Sequence, residues 1–358
     1  ADAIVSDAKK EAAEIIVDAH KKREAEEEKA VSQLKKEIAQ LAILTAEQIM
    51  EKEPILTVKD LSIAFHMYDK GLEQYDLKVI SNLDLDVYPG EIVAIAGSSG
   101  SGKSLLAHAV MGLLPENALL SGTIAYKGKI LDQADKEKLR GKELALVPQS
   151  VAYLDPLMRI GTQVSGKGAP KKKVTLQKKI FQRLQLKENV EKLYPFQLSG
   201  GMARRELVST AVLSGADVII ADEPTPGLDL EMALETLKIF RELADEGKAI
   251  VLITHDIDLA FHIADRVAVF YAGTTLEIAD ANDFLEGPEA LRHPYSKALW
   301  KALPQNGFEP VPGFQPYAKY LPGGCLYFPR CPHRSDECEK KIPMKNVRGG
   351  RVRCIYAD

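Results

Sequence analysis

The sequence predicts an α/β fold, a mainly parallel sheet with helices on both faces, organised around a phosphate-binding loop. Three observations predict it. Short apolar runs (Ile92–Ala96, Val218–Ala221, Ala249–Ile253 and Val267–Phe270) recur between helical patterns, as parallel strands buried on both faces do. The octapeptide Gly97-Ser98-Ser99-Gly100-Ser101-Gly102-Lys103-Ser104 joins the first run to the helical stretch Leu105–Val110, with the spacing G-x-x-x-x-G-K-S. The second run ends on Asp222-Glu223, which puts two carboxylates at the mouth of a central strand, where ligands of open α/β sheets bind.

Taken in order, residues 1–52 lack proline and glycine and are dominated by alanine, glutamate and lysine. The apolar pairs Ile4–Ile15, Ala30–Leu41 and Ile38–Ile49 are each eleven residues apart, a period that favours a straight or slightly right-handed supercoil. The pattern predicts one long helix, either paired with another helix or solvated alone. Pro54 ends it. Residues 55–58 and 61–65 read as strand, 69–76 as a loop, and Val79–Val87 as an alternating strand. A hairpin is expected between Gly122 and Leu131, a buried strand at Leu144–Val147, a surface loop over Lys167–Lys173, and helices over Leu176–Leu186 and Ala203–Leu213. The expected domains are the charged helix 1–52, an α/β core over 53–285 with a helical subdomain at about 150–213, and an extension over 286–358 that carries all four cysteines.

The chain has 358 residues, 46% of them hydrophobic and 27% charged, the balance of a soluble globular protein. Its net charge of −4 sets up no basic field, so nucleic acid is not an expected partner. No apolar run approaches the roughly 20 residues of a membrane span. No secretory signal is visible and no cysteine precedes Cys325, which points to the cytoplasm and to reduced thiols.

The loop chemistry follows from its residue types. Glycines let the backbone curl until its N–H groups face phosphate oxygens, and the following helix adds free N–H groups and partial positive charge. Lys103 would then reach the β- and γ-phosphates, and the Ser104 hydroxyl would ligate magnesium. Asp222 can hold the same ion, while Glu223 is placed to polarise an attacking water. Ser199, Gly200 and Gly201 precede a helix and form a second anion site. In the tail, Cys325-x5-Cys331-x6-Cys338-x15-Cys354 offers four soft ligands, suited to a 4Fe–4S cluster or tetrahedral zinc but without C-x2-C spacing. Four unrelated reduced thiols are the other reading, with His333 a spare ligand or a surface histidine.

Order binds these pieces together: Gly97–Ser104, Pro148-Gln149, Leu198–Met202, Asp222-Glu223, Leu228-Asp229 and His255. The series resembles the ATP-binding-cassette ATPases over about residues 55–280. The resemblance implies that 97–104 are the Walker A loop and that Val218–Asp222 form the Walker B strand, with Glu223 the catalytic carboxylate. It implies that Gln149 is the Q-loop glutamine, which contacts the metal and the attacking water and faces the membrane subunits. Leu198–Met202 match the signature, Asp229 the D-loop aspartate and His255 the switch histidine at the γ-phosphate. Phe65 matches the adenine-stacking aromatic, with Tyr75 the alternative. In that family two cassettes face head to tail, each ATP lying between one loop and the partner's signature. Met202, Arg204-Arg205 and Gly227 depart from the usual residues without removing a catalytic group.

His293–Leu299, Pro312-Gly313 and the segment Gly324-Cys325 to Cys354 resemble the oligopeptide, dipeptide and nickel importer branch, which implies the iron–sulfur cluster. Ala8–Ala12, Leu34–Ala39 and Leu41–Glu47 resemble the membrane-distal part of the peripheral-stalk b subunit of bacterial ATP synthase, which implies a fusion, natural or constructed. The expected function is the ATP-hydrolysing subunit of an importer for peptides, nickel or a metal chelate. It would sit on the cytoplasmic face of the membrane with a second cassette and integral permease subunits, served indirectly by an extracytoplasmic solute-binding protein. The rival expectations are a structural or assembly protein with a stalk helix and a regulatory cassette, or a soluble non-transport cassette ATPase.

Overall fold

The structure, a computed structural model, describes residues 53–69, 73–98 and 100–357. The helix expected over 1–52 and the loop residue Ser99 lie outside the described residues. Chain contacts divide 1–52 from 53–358, and every element below belongs to the second unit.

Its elements run β1 (Leu56–Tyr68), β2 (Gln74–Val87), β3 (Ile92–Gly97), α1 (Lys103–Met111), β4 (Ala118–Tyr126), β5 (Lys129–Ile130), α2 (Gln133–Leu139) and β6 (Leu144–Val147). Then come α3 (Ile160–Ser165), α4 (Lys171–Arg183), α5 (Gly200–Ser214), β7 (Val218–Asp222), α6 (Leu230–Asp245), β8 (Ala249–Ile253), α7 (Ile257–Phe261), β9 (Arg266–Tyr271) and β10 (Thr274–Asp280). The chain closes with α8 (Ala281–Glu286), α9 (Pro294–Lys301), β11 (Lys345–Val347) and β12 (Gly350–Val352).

The main sheet has the order β11-β12-β10-β9-β3-β8-β7-β6. Pairing is parallel from β9 through β6 and antiparallel from β9 out to β11. A second sheet, β2-β1-β4-β5, is antiparallel throughout. The expected mainly parallel sheet is thus joined by an antiparallel half. Its strands alternate, are short or, like β10, carry polar residues within a buried run, so none reads as an unbroken apolar stretch.

Alternation along β3 shows how the central strands are covered. Ile92, Ala94 and Ala96 enter one core with Leu207 of α5 and Phe240 of α6, while Val93 and Ile95 enter another with Leu106 and Val110 of α1 and Leu61 of β1. The β3 strand is fully buried because side chains on both its faces are used. At its end a Cβ on Gly97 would lie 2.4 Å from the Phe270 carbonyl oxygen, so only glycine lets the strand turn into the loop against β9.

Two expected loops are shorter than predicted. Gln74, Tyr75 and Asp76 belong to β2, where Tyr75 pairs with Met67 and His66 bonds Asp76 at 2.6 Å. Residues Lys171–Lys173 open α4, with Pro170 at its N-cap, where the missing N–H costs the helix no hydrogen bond. The tail is joined to the rest of the chain by strand pairing and packing. Its strands β11 and β12 extend the main sheet through β10, and Cys325 and Cys338 lie in the larger core.

Glu206 on α5 is a buried carboxyl in an otherwise apolar setting. Its side chain is fully buried, its Oε1 accepts from Thr210 at 3.2 Å, and its Oε2 has no partner. Burial pushes its pKa from 4.5 up to about 8, with the Thr210 hydroxyl opposing. The folded chain keeps this proton where the unfolded chain releases it, so stability falls as pH rises from about 4.5 to about 8. Replacing Glu206 with Leu should therefore raise the melting temperature, and by more at pH 9 than at pH 5. The gain should reach the order of a few kcal/mol at the upper end. Melting curves at the two pH values check it; a gain that does not grow with pH would mean the carboxyl is not held neutral.

Candidate active site

Four parallel strands deliver the site. Register sets Ile95 of β3 beside Ile253 of β8, Ile253 beside Asp222 of β7, and Ala221 beside Val147 of β6. The residues just beyond these ends are the phosphate loop, Thr254-His255, Glu223 and Pro148-Gln149. The carboxylate of Glu223 is held from both sides: the Gln149 amide donates at 2.9 Å, and His255 Nδ1 lies 3.4 Å from its other oxygen. The Glu223 backbone N–H donates to Ile253 at 2.8 Å, and its φ is +50°, in the left-handed region that a side chain seldom adopts.

Lys103 is buried, with its ammonium donating to the carbonyls of Gly97 and Ser98 at 2.9 and 3.0 Å. Burial pulls its pKa below the ordinary value, while the Glu223 and Asp222 charges oppose. Asp222 shows the reverse: burial raises its pKa, a hydrogen bond with Ser104 opposes, and the Glu223 charge adds to the rise. Its Oδ1 is buried without a partner. A carboxylate oxygen left orphaned beside a serine hydroxyl suits a hard divalent cation, so Ser104 and Asp222 fit magnesium. Gly100 and Gly102 take positive φ, and Ser101 is buried. Ser98 is exposed on the loop, and its hydroxyl donates to Gln315 at 2.7 Å.

Ser199 caps α5 by accepting from the Met202 N–H at 3.3 Å, and Gly200 beyond it is exposed. A Cβ on Gly201 would lie 3.3 Å from the Gly227 carbonyl, so the signature and the turn before Asp229 touch within one chain. Asp229 caps α6 through Met232 N–H at 2.9 Å. Phe65 is half-buried against the core of α1, whereas the face of Tyr75 is taken by the Lys319 ammonium, 4.5 Å from the ring centre.

Sequence reasoning missed how some residues act. Arg204, noted only as a departure, donates to the carbonyls of Pro148 and Gln149 and so ties the signature helix to the glutamine loop. Nothing but a cation three residues after the second glycine hinted at it.

In the tail the four thiols are gathered. Burial pushes the Cys325 thiol up to about 12, and the neighbouring Cys354, Cys331 and Cys338 add to the rise. No set of three or more His, Cys, Asp or Glu side chains among the described residues is placed to hold a metal ion. The expected four-cysteine metal site is thus not shown among the described residues. His333 is exposed; the histidine beside the cysteines is His293, whose Nδ1 accepts from Tyr295 N–H at 2.9 Å, leaving Nε2 to face Cys325 Sγ at 3.9 Å. Full burial lowers its pKa to about 3, so it is neutral with the proton on Nε2.

Comparisons with known proteins agree with this geometry. Residues 80–226 match the ABC transporter family, and residues 276–338 match the oligopeptide/dipeptide transporter C-terminal region. In structure the chain is similar to a dimeric ATP-binding cassette, MJ0796, in a post-hydrolysis state bound to ADP and Pi. The TM-score is 0.55 at 25% identity, over 63% of this chain and 98% of that one. The fold and site are those of an ATP-binding-cassette ATPase. More narrowly, the chain belongs to the ATP-binding subunits of oligopeptide and dipeptide ABC importers. It is 33% identical to the oligopeptide transport ATP-binding protein OppD of Escherichia coli, over 86% of this chain and 94% of that one. It is 34% identical to the dipeptide transport ATP-binding protein DppD of Bacillus subtilis, over 86% and 96%. The peripheral-stalk likeness of residues 1–52 gains no support from these comparisons.

Glu223→Gln keeps the shape of the side chain and removes its basicity. ATP turnover should fall on the order of a hundredfold or more, the size of a general-base contribution. ATP binding should persist, and a parent-like turnover number in a steady-state assay would take the base assignment away from Glu223.

Proposed function

We propose that this chain hydrolyses ATP to drive import of di- and oligopeptides through integral membrane partners, docking on them from the cytoplasmic face. The observation that carries the reading is the carboxylate of Glu223, bracketed by Gln149 and His255 at the strand mouth that also holds Lys103. Loop N–H groups and Lys103 bind the phosphates. Magnesium, when bound, would be held by Ser104 and Asp222, with Gln149 in reach, and neutralises phosphate charge. Glu223 orients a water and takes its proton as the water oxygen bonds the γ-phosphorus; the bridging bond breaks and its electron pair leaves with ADP. His255 steadies the carboxylate and faces the γ-phosphate. Phe65 stacks the adenine, a role favoured over Tyr75 because Lys319 already covers that ring.

Ser199, Gly200 and Gly201 form an anion site that serves the ATP of a second cassette, with Asp229 beside the join. The similar MJ0796 cassette is a dimer, which supports this pairing. The relatives' names are those of peptide transport proteins, which favours peptides over nickel or a metal chelate as cargo. No helix among the described residues is long and apolar enough to cross a membrane, so passage of cargo belongs to partner subunits. Cys325, Cys331, Cys338 and Cys354 are the residues that would hold a structural 4Fe–4S cluster, as the likeness of the tail implies. None of these thiols belongs to the nucleotide site.

The head-to-tail arrangement is tested by mixing Ser199→Arg chains with Lys103→Ala chains. Each homodimer is damaged at both sites, but one site of the mixed dimer is intact. Recovered activity on mixing is the expected result, and none at any ratio, with both variants folded, would count against it. Anaerobic iron and sulfide analysis tests the tail: about four of each per chain is expected, while one zinc and no sulfide would replace the cluster with zinc.

A further inference from the structure

The phosphate loop is gripped from the tail. Ser98 makes two hydrogen bonds, its hydroxyl donating to Gln315 Oε1 at 2.7 Å and its carbonyl accepting from the Lys103 ammonium at 3.0 Å, and its hydroxyl also faces that of Tyr295. Gln315 lies 217 residues from Ser98 along the chain, in a segment with little regular structure of its own. That segment is pinned at one end by Arg330, whose guanidinium donates to the carbonyls of Pro312 at 2.7 Å and Val311 at 2.8 Å. At the other end Lys319 pairs with Asp69 at 2.6 Å, on the β1–β2 hairpin. Arg330 also donates to the Tyr271 hydroxyl at 3.3 Å, and the Tyr271 ring lies 4.5 Å from that of Tyr295. Arg330 is next to Cys331.

From these contacts we infer that residues 311–319 are a strap through which the C-terminal region sets the shape of the phosphate loop, with Gln315 and Tyr295 as positioning residues and Arg330 as the anchor. The physical reason lies in Ser98. Gly97, Gly100 and Gly102 leave the loop backbone free to bend, so an outside contact adds to the grip of Lys103 in keeping its N–H groups aligned before phosphate arrives. The strap supplies that contact, and it also fixes the carbonyl on which Lys103 rests. Gln315 and Tyr295 therefore act on ATP through Ser98 and Lys103 and not through the reacting atoms. Loosening the cysteine region would be felt at the nucleotide by way of Arg330.

The inference rests on the loop being the ATP site, and the test separates the two. In the full chain, Gln315→Ala, Tyr295→Phe and Arg330→Met are compared for magnesium-ATP affinity, KM and turnover, with Lys103→Ala as control. Each of the three should raise KM and the ATP dissociation constant about threefold to tenfold, the size of one neutral hydrogen bond, with turnover at saturating ATP within about twofold of the parent. Because Arg330 acts through Gln315, the double variant Gln315→Ala/Arg330→Met should be no worse than the more affected single one. Unchanged KM in Gln315→Ala and Tyr295→Phe, with Lys103→Ala losing ATP, would overturn the strap alone. Full additivity in the double variant would overturn Arg330 as its anchor. Parent-like ATP binding by Lys103→Ala would overturn the nucleotide-site reading itself. If Arg330→Met does not fold, Tyr295→Phe and Gln315→Ala carry the test, since they converge on one hydroxyl and should match Ser98→Ala when combined.

Discussion

Parallel register is the constraint on which the rest of this structure depends. In a parallel sheet every strand that runs the same way ends at the same edge, and β6, β7, β8 and β3 are aligned so that their last paired residues fall within a step of one another. The glutamine, the carboxylate pair, the histidine and the glycine loop are each attached just past that edge. They meet because of backbone hydrogen bonds formed far from any charge. A slip of β7 by one residue would send Asp222 to the opposite face and break the meeting of Glu223 with Gln149 and His255 together.

Much of this could be read in the chain itself, for physical reasons. Buried parallel strands cannot tolerate polar residues on either side, so Val218–Ala221 and Ala249–Ile253 were legible as strands, and the loop between strand and helix was legible from its glycines and lysine. The antiparallel strands were harder. β10 is buried almost throughout but carries Thr274, Thr275 and Glu277, and the Glu277 carboxylate is satisfied by distant partners, the N–H groups of Arg292 and His293. Nothing near Glu277 in the chain announces those partners. The contact of Gln315 with Ser98 was invisible for the same reason, since an amide in an irregular segment has no period to betray its target.

The tail shows where residue chemistry and packing divide the explanation. Four thiols in a polar segment offer a set of soft ligands. Yet Gly324 is pressed so closely on the Cys338 carbonyl that a Cβ would come within 2.1 Å, and Cys325 N–H donates to that same carbonyl at 2.8 Å. The backbone there is already closed by its own hydrogen bonds and by an aromatic cluster of Tyr271, Tyr295 and Tyr327. Packing and any bound group then act on the same turn, and the thiols need not supply all of its order.

The left-handed backbone at Glu223 bears on how such a chain can drift over time. A glutamate at φ +50° carries a conformational cost of about 1 kcal/mol or more that glycine would not. The strain lies in the backbone and not in the carboxylate, so Glu223→Gln or Glu223→Ala would remove the base and keep the cost, and only glycine would relieve it. Glycine is thus the one replacement at position 223 that removes the carboxylate and lowers the folding cost together, so a chain freed from the need for turnover would drift most readily to glycine there.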